Sequence, residues 1–350
     1  MNELHNNERK KILSITNNNI LRTWPEDCFL ISIIQNNPKS YDWIMNSFVQ
    51  ICTYKSTHDN NSFRINFLPS GKHHYPINLY DYCPFIDKYV IHNNLIIQLF
   101  QKYTDFLIFA INNGYYVSCS LDQFFRKQNK TYGQYHPNYI YGYNIIDKKI
   151  YLADHFDSGK FSFLNIPFDD VDKSFNMTNK YSNYDFNHKT YLYKLKDCEY
   201  YFDTLKLANL LEDYLNSCDS TDYKSKHYNN KFYGIECYKL FYPYLMSIIS
   251  NSDQFIDLRS FVFLIDHKKI MLLRIQYMLA NNYLPLKIKS LEDEYRKLTK
   301  QCERILLLAI KYNNTKNAEI IDKIVNYLKL IVTNDFSLTS KLLDETRKLV

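Results

Sequence analysis

The sequence predicts an α+β protein with a mixed region over residues 1–198 and a mainly helical region over 199–350. Three observations carry this. Short aromatic and β-branched runs cluster between residues 115 and 195 and read as strands. Apolar residues recur at i, i+3 and i+4 after residue 200 and read as helices. The 350 residues suit two domains at about 100–200 residues each.

The first helix is expected over residues 27–36, where Cys28, Leu30, Ile31 and Ile34 follow Pro25, Glu26 and Asp27. Further helices are expected over 40–52 and 93–104. Residues 139–141 and 149–152 form a strand pair, with 144–147 as the turn between them. Residues 160–164 and 190–195 add strands. The helical half comprises 202–216, 234–250, 258–280, 286–312, 316–332 and 335–350, the last with Leu338, Leu342 and Leu343 on one face. The polar run 217–226 reads as a loop between two helices.

Composition removes several function classes. There are six glycines, at 71, 114, 133, 142, 159 and 234, and the closest two are nine residues apart. Neither G-x-G-x-x-G nor G-x-x-x-x-G-K-[ST] can be written with that spacing, so a Rossmann dinucleotide site and a P-loop are not expected. The net charge of +6 is a mild basic excess. Its clusters, such as Arg9-Lys10-Lys11 and Lys268-Lys269, are short and dispersed, which argues against nucleic acid. No apolar run reaches the length of a membrane span. The polar start lacks the pattern of a secretory signal, so a cytoplasmic protein with reduced thiols is expected. The eight cysteines form no C-x-x-C, which leaves a zinc or redox motif unsupported.

Cys28 stands at an expected helix start. The positive end of the helix dipole favours a thiolate there. Taken alone, Cys28 reads as a buried structural thiol on an apolar helix. His136 precedes the first strand of the hairpin and Asp154 ends the second, so antiparallel pairing can bring them together. A carboxylate on one imidazole nitrogen fixes the tautomer and leaves the other as a base. Taken alone, His136 is an ordinary surface or satisfied histidine. His155 and Asp157 compete with Asp154 for the orienting role. His73, His74, Asp81 and Cys83 match no zinc template and read as loop. Asp266, His267 and Lys268 read as a polar helix face or a structural contact. Cys52, Cys83 and Cys119 read as packed thiols. Lys268 and Arg274 are cations that could meet an acidic partner.

The order helix-start Cys, then His before a strand, then Asp after the next is the logic of papain-like enzymes. Three stretches carry it: Asp27-Cys28-Phe29-Leu30, residues 136–144 (HPNYIYGYN) and Ile150-Tyr151-Leu152-Ala153-Asp154. They resemble the papain-like cysteine proteins of peptidase family C39 and the butirosin-biosynthesis acyltransferase type. Residues 261–269 (FVFLIDHKK) resemble the helical tail of the biosynthetic members. The resemblance implies a papain-like catalytic domain over 1–198 and a helical domain over 199–350. It implies Cys28 as nucleophile, His136 as general base and acid, and Asp154 as the orienting carboxylate.

The activity implied is amide formation in nonribosomal peptide biosynthesis. An acyl chain passes from the phosphopantetheine thioester of a carrier protein, through acyl-Cys28, to a small amine. The enzyme itself binds no cofactor or metal. Similarity to the amide synthetases of closthioamide-type assembly implies an aromatic polyamide acyl chain and 1,3-diaminopropane as acceptor. A cysteine peptidase or thioesterase, which uses water as acceptor, is the alternative. One departure stands out: no Gln precedes Cys28 as an oxyanion donor. The expected donors are the backbone N–H of Cys28 and either Asn19 or Trp24.

Overall fold

In a computed structural model the chain is described over residues 9–17, 19–54, 63–68, 79–125, 133–156, 159–220, 231–250 and 254–350. The strands are β1 (Lys10–Ile12), β2 (Ile51–Tyr54), β3 (Ile65–Phe67), β4 (Ile86–His92), β5 (Tyr115–Asp122), β6 (Tyr135–Asn144), β7 (Lys149–His155), β8 (Phe161–Pro167), β9 (Lys189–Leu195) and β10 (Lys231–Tyr233). The α-helices are α1 (Pro25–Ile34), α2 (Ser40–Asn46), α3 (Asn93–Leu99), α4 (Tyr103–Asn112), α5 (Phe168–Tyr181), α6 (Thr204–Asn216), α7 (Phe241–Ser250), α8 (Arg259–Ala280), α9 (Lys289–Thr315) and α10 (Glu319–Arg347). The protein is therefore α+β: antiparallel sheets followed by a long helical C-terminal region. Among the described residues, no helix is long and apolar enough to cross a membrane.

The chain forms two compact units. The first comprises residues 1–19, 24–38 and 83–199, and the second residues 20–23, 39–82 and 200–350. A division at 198/199 differs from this grouping mainly in residues 39–82. Pairing explains the difference: β2 lies between β3 and β10, so this segment completes a sheet whose third strand begins at Lys231.

In the first unit an antiparallel sheet runs β4-β9-β5-β6-β7-β8, with β1 added to β6. Helices α3, α4 and α5 supply Ile96, Phe106, Leu107, Val171 and Phe175 to a buried cluster with Val117, Ile140, Ile150 and Leu152 of the sheet. Helix α1 packs on β7. Its Phe29 stacks on Tyr139 of β6 with ring centroids 4.6 Å apart and meets Tyr116 of β5 edge-on. The register of β6 on β7 shifts between Ile140 and Gly142, beside the point where Ile12 of β1 pairs with Gly142. A Cβ at Gly142 would lie 2.7 Å from the carbonyl oxygen of Lys11, so glycine is what lets β1 close on β6.

The hairpin expected at 139–152 is present, with its turn at 145–148. Four expectations are corrected. The helix over 40–52 ends at Asn46, and Ile51, Cys52 and Thr53 are in β2, where the register with β3 claims them. The helix over 93–104 is two helices. Phe100 and Lys102 are extended, and α4 restarts where Asp172 accepts from the backbone N–H (2.8 Å) and hydroxyl (3.0 Å) of Thr104. The strand region contains α5, which starts after Pro167 with Asp169 and Asp170 in its first turn. The last two expected helices are one, α10, because Thr333 and Asn334 carry no break signal.

In the second unit, α8, α9, α10 and α6 pack together. Asp266, His267, Lys268 and Arg274 of α8 are all fully buried, so Lys268 and Arg274 are not surface cations for an acidic partner. Lys268 Nζ lies 2.5 Å from Asp335 and 2.9 Å from His267 Nδ1. Asp266 accepts from the backbone and side chain of Arg22 and the hydroxyl of Thr23. Arg274 donates to the carbonyls of Met45 and Ser47. The structural-contact reading of 266–268 is what the structure contains.

Gly142→Ala should destabilise the protein by about 1–3 kcal/mol, because the clash is with backbone and cannot relax through a side chain. Urea denaturation of the two proteins measures it; equal midpoints would show that β1 moves freely.

Candidate functional site

Helix α1 begins where Trp24 is extended (φ −109°, ψ 130°) and Pro25 occupies the first helical position. Glu26 and Asp27 place carboxylates against the positive end of the helix. Cys28 completes this turn and is fully buried. Its backbone N–H donates to the Trp24 carbonyl at 2.9 Å, as the first bond of the helical ladder. That commits the N–H expected to serve an oxyanion. Asn19 comes close to Cys28, but its Nδ2 donates to the Cys28 carbonyl at 3.1 Å. The first-turn N–H groups ahead of Cys28 are the ones that intrahelical bonding leaves over.

His136 and Asp154 are in contact. His136 Nδ1 lies 2.9 Å from Asp154 Oδ2. The same nitrogen lies 2.9 Å from the carbonyl oxygen of Pro137. Both neighbours are acceptors, so the proton belongs on Nδ1, and the neutral ring carries its lone pair on Nε2. Asp154 is fully buried, whereas the His136 side chain is 42% exposed. The second oxygen of Asp154 accepts the His155 backbone N–H at 2.7 Å. His155 thus holds Asp154 rather than replacing it, and Asp157 lies outside the described residues.

Two observations connect Cys28 to this pair. Helix α1 packs on β7, the strand that carries Asp154. Glu26, two residues before Cys28, is within electrostatic range of both partners. Desolvation raises the Glu26 carboxyl above its ordinary value, a backbone hydrogen bond and then the charge of His136 lower it, and Asp154 raises it again. Its side chain still reaches solvent, so Glu26 is crowded but open.

Several residues near His136 escaped the sequence reading. Asn138, fully buried, donates from Nδ2 to the His136 carbonyl at 2.7 Å. Buried Gln123 donates to the Leu121 carbonyl at 2.8 Å and approaches the same His136 carbonyl at 3.5 Å. Buried Asp122 accepts the backbone N–H groups of Phe124 (3.0 Å) and Gly133 (2.7 Å), tying the ends of the β5–β6 connection. The signal in the sequence is the grouping of two amides and a carboxylate, Asp122, Gln123 and Asn138, at the joined ends of β5 and β6.

The other candidates separate from the site. Burial pushes the Cys52, Cys83 and Cys119 thiols up to about 12, so they stay protonated. His73 and His74 lie outside the described residues. Among the described residues, no group of three or more His, Cys, Asp or Glu is placed to hold a metal ion. A recess of about 270 Å³ in the first unit is lined by Ile96, Phe100, Tyr103, Asp169, Asp172 and Phe175 among others, and by none of Cys28, His136 or Asp154.

The raised carboxyl of Glu26 costs stability as pH climbs. Below the ordinary carboxylate range both folded and unfolded chains are protonated and there is no penalty. Above it the unfolded chain ionises first, and stability falls until Glu26 ionises in the folded protein. Glu26→Gln should therefore melt higher than wild type at pH 7, and the gap should close at pH 3. A gap independent of pH would remove the electrostatic explanation.

No known protein family matches the chain and no curated protein matches it, so the function of the site is read from its geometry.

Proposed function

We propose that this protein is a cysteine-dependent acyltransferase of papain-like fold that forms amides from carrier-bound thioesters. The reading is supported above all by His136 Nδ1, held by the buried Asp154 carboxylate and the Pro137 carbonyl. That arrangement presents Nε2 as the proton-transfer atom. The nearby start of α1 supplies a cysteine in a turn with positive backbone potential.

In the proposed reaction His136 Nε2 takes the Cys28 thiol proton, and the resulting thiolate attacks the acyl carbonyl of the carrier thioester. The tetrahedral intermediate collapses, the bond to the phosphopantetheine sulfur breaks, and His136 Nε2 delivers the proton to that sulfur. An amine then attacks acyl-Cys28, Nε2 takes its proton, and the amide leaves as the thiolate re-forms. Asp154 stabilises the imidazolium in both halves without accepting the proton. Thioester exchange is nearly isoenergetic and aminolysis is downhill, so the cycle needs no nucleotide. Cys28 is buried, and a thiol shielded from water supports transfer to an amine over hydrolysis.

Intact-protein mass spectrometry with an acyl-loaded carrier protein tests this. Wild type should gain one acyl group, discharged as amide when a small diamine is added. Cys28→Ala should gain none; an adduct of the same mass on that variant would remove Cys28 as nucleophile. His136→Ala should acylate about 100- to 10,000-fold more slowly. Release only of free acid in the presence of diamine would turn the assignment to a thioesterase or peptidase.

A further inference from the structure

We propose that Asn138 is a positioning residue for His136, acting through the His136 backbone carbonyl and seconded by Gln123; this rests on the proposed role of His136. Asn138 stands two residues after His136 on β6, so strand alternation sets both side chains on one face. In the register with β5, His136 pairs with Leu121 and Asn138 with Cys119. The Asn138 side chain turns back along its own strand and donates to the His136 carbonyl at 2.7 Å. From the neighbouring strand end, Gln123 Nε2 reaches the same oxygen at 3.5 Å and the Leu121 carbonyl at 2.8 Å.

This is an unusual way to use two buried amides. Asn138 is fully covered and Gln123 is 2% exposed. Both carbonyl oxygens, Asn138 Oδ1 and Gln123 Oε1, are buried with no donor. An apolar side chain in either place would leave fewer unsatisfied groups, since a buried lone acceptor costs free energy. What the amides supply in return is the N–H on the His136 carbonyl. That carbonyl belongs to the peptide unit joining His136 to Pro137, whose own carbonyl is the second acceptor at Nδ1. Fixing this unit fixes both the ring and one of its two anchors. The proline adds to the need, since Pro137 has no N–H to join the ladder with β5.

Two substitutions separate positioning from packing. Asn138→Leu keeps the volume and removes the donor; Asn138→Ser keeps a donor and leaves a gap. If Asn138 positions His136, the Leu variant is the worse enzyme, with acylation about tenfold slower at saturating carrier and KM little changed. The Ser variant retains more of the rate. A packing role reverses that order, because the cavity then does the damage.

The second readout needs no acyl transfer: the ¹⁵N shifts of the His136 ring in the resting protein. Wild type should show the Nδ1–H tautomer, Asn138→Leu a mixture of both, and Asn138→Ser a spectrum close to wild type. An unchanged tautomer in Asn138→Leu overturns the proposal even if Cys28 acylation is confirmed. A shifted tautomer upholds it even if the acyltransfer reading fails. Should Asn138→Leu not fold, Gln123→Leu, which removes the weaker donor, should produce the same tautomer change in smaller degree, and no change there would also overturn it.

Discussion

Register between β6 and β7 is the constraint on which the rest of the site depends. Tyr139 opposite Ala153 puts His136 and Asp154 within reach across the pair. A slip of one residue would send one of them to the other face of the sheet. The bulge between Ile140 and Gly142 divides the hairpin into two parts. Beyond it β6 pairs with β1 as well as β7, and Gly142 permits that contact. On the near side β6 is held by β5, and Asp122 ties the connection that leads into His136. The polar residues around His136 thus fix backbone first and ring second.

The second unit places charge where the first places amides. Lys268, Asp335, His267 and Arg274 are wholly buried. Burial, joined by the charge of Lys268, holds His267 well below its ordinary value, so it stays neutral. Burial also lowers Arg274, to about 9. Tyr214 and Tyr238 share the Asp335 carboxylate with Lys268 and are raised well above the usual phenol range by burial. Removing one member would strand the others without water, so such a network tolerates loss of the whole better than loss of a part. Its members come from α6, α8, α10 and the 3₁₀ turn before α7, which makes it a specification of helix order.

Much of this was legible in the sequence because the signals were local. The hairpin announced itself by two β-branched runs and a turn, and α1 by Pro25 and two acids. The His136–Asp154 contact followed from antiparallel geometry alone. What was illegible depended on distant partners. Nothing near Ile51 says that its strand awaits Lys231. The burial of Lys268 and Arg274 is decided by carbonyls and carboxylates 60 to 230 residues away. The break at Phe100 depends on Asp172, a side chain of a helix hidden in a strand-rich stretch. Asn138 gives no such signal by itself, because an amide in a strand has no periodic signature; only its partners give it meaning.

The interleaving of the two units has a consequence for the order in which the chain can mature. Every strand of the larger sheet has emerged once residue 195 is synthesised, so α1 and the hairpin can reach their final contacts early. Strands β2 and β3 are made before β4 to β9 but lack β10 until residue 233 has followed. Until then the edge of that hairpin that β10 covers, along Cys52, Thr53 and Tyr54, stays open. During synthesis the larger sheet can close first, and the β2–β3 hairpin is the segment a nascent chain must keep from pairing with another copy of itself.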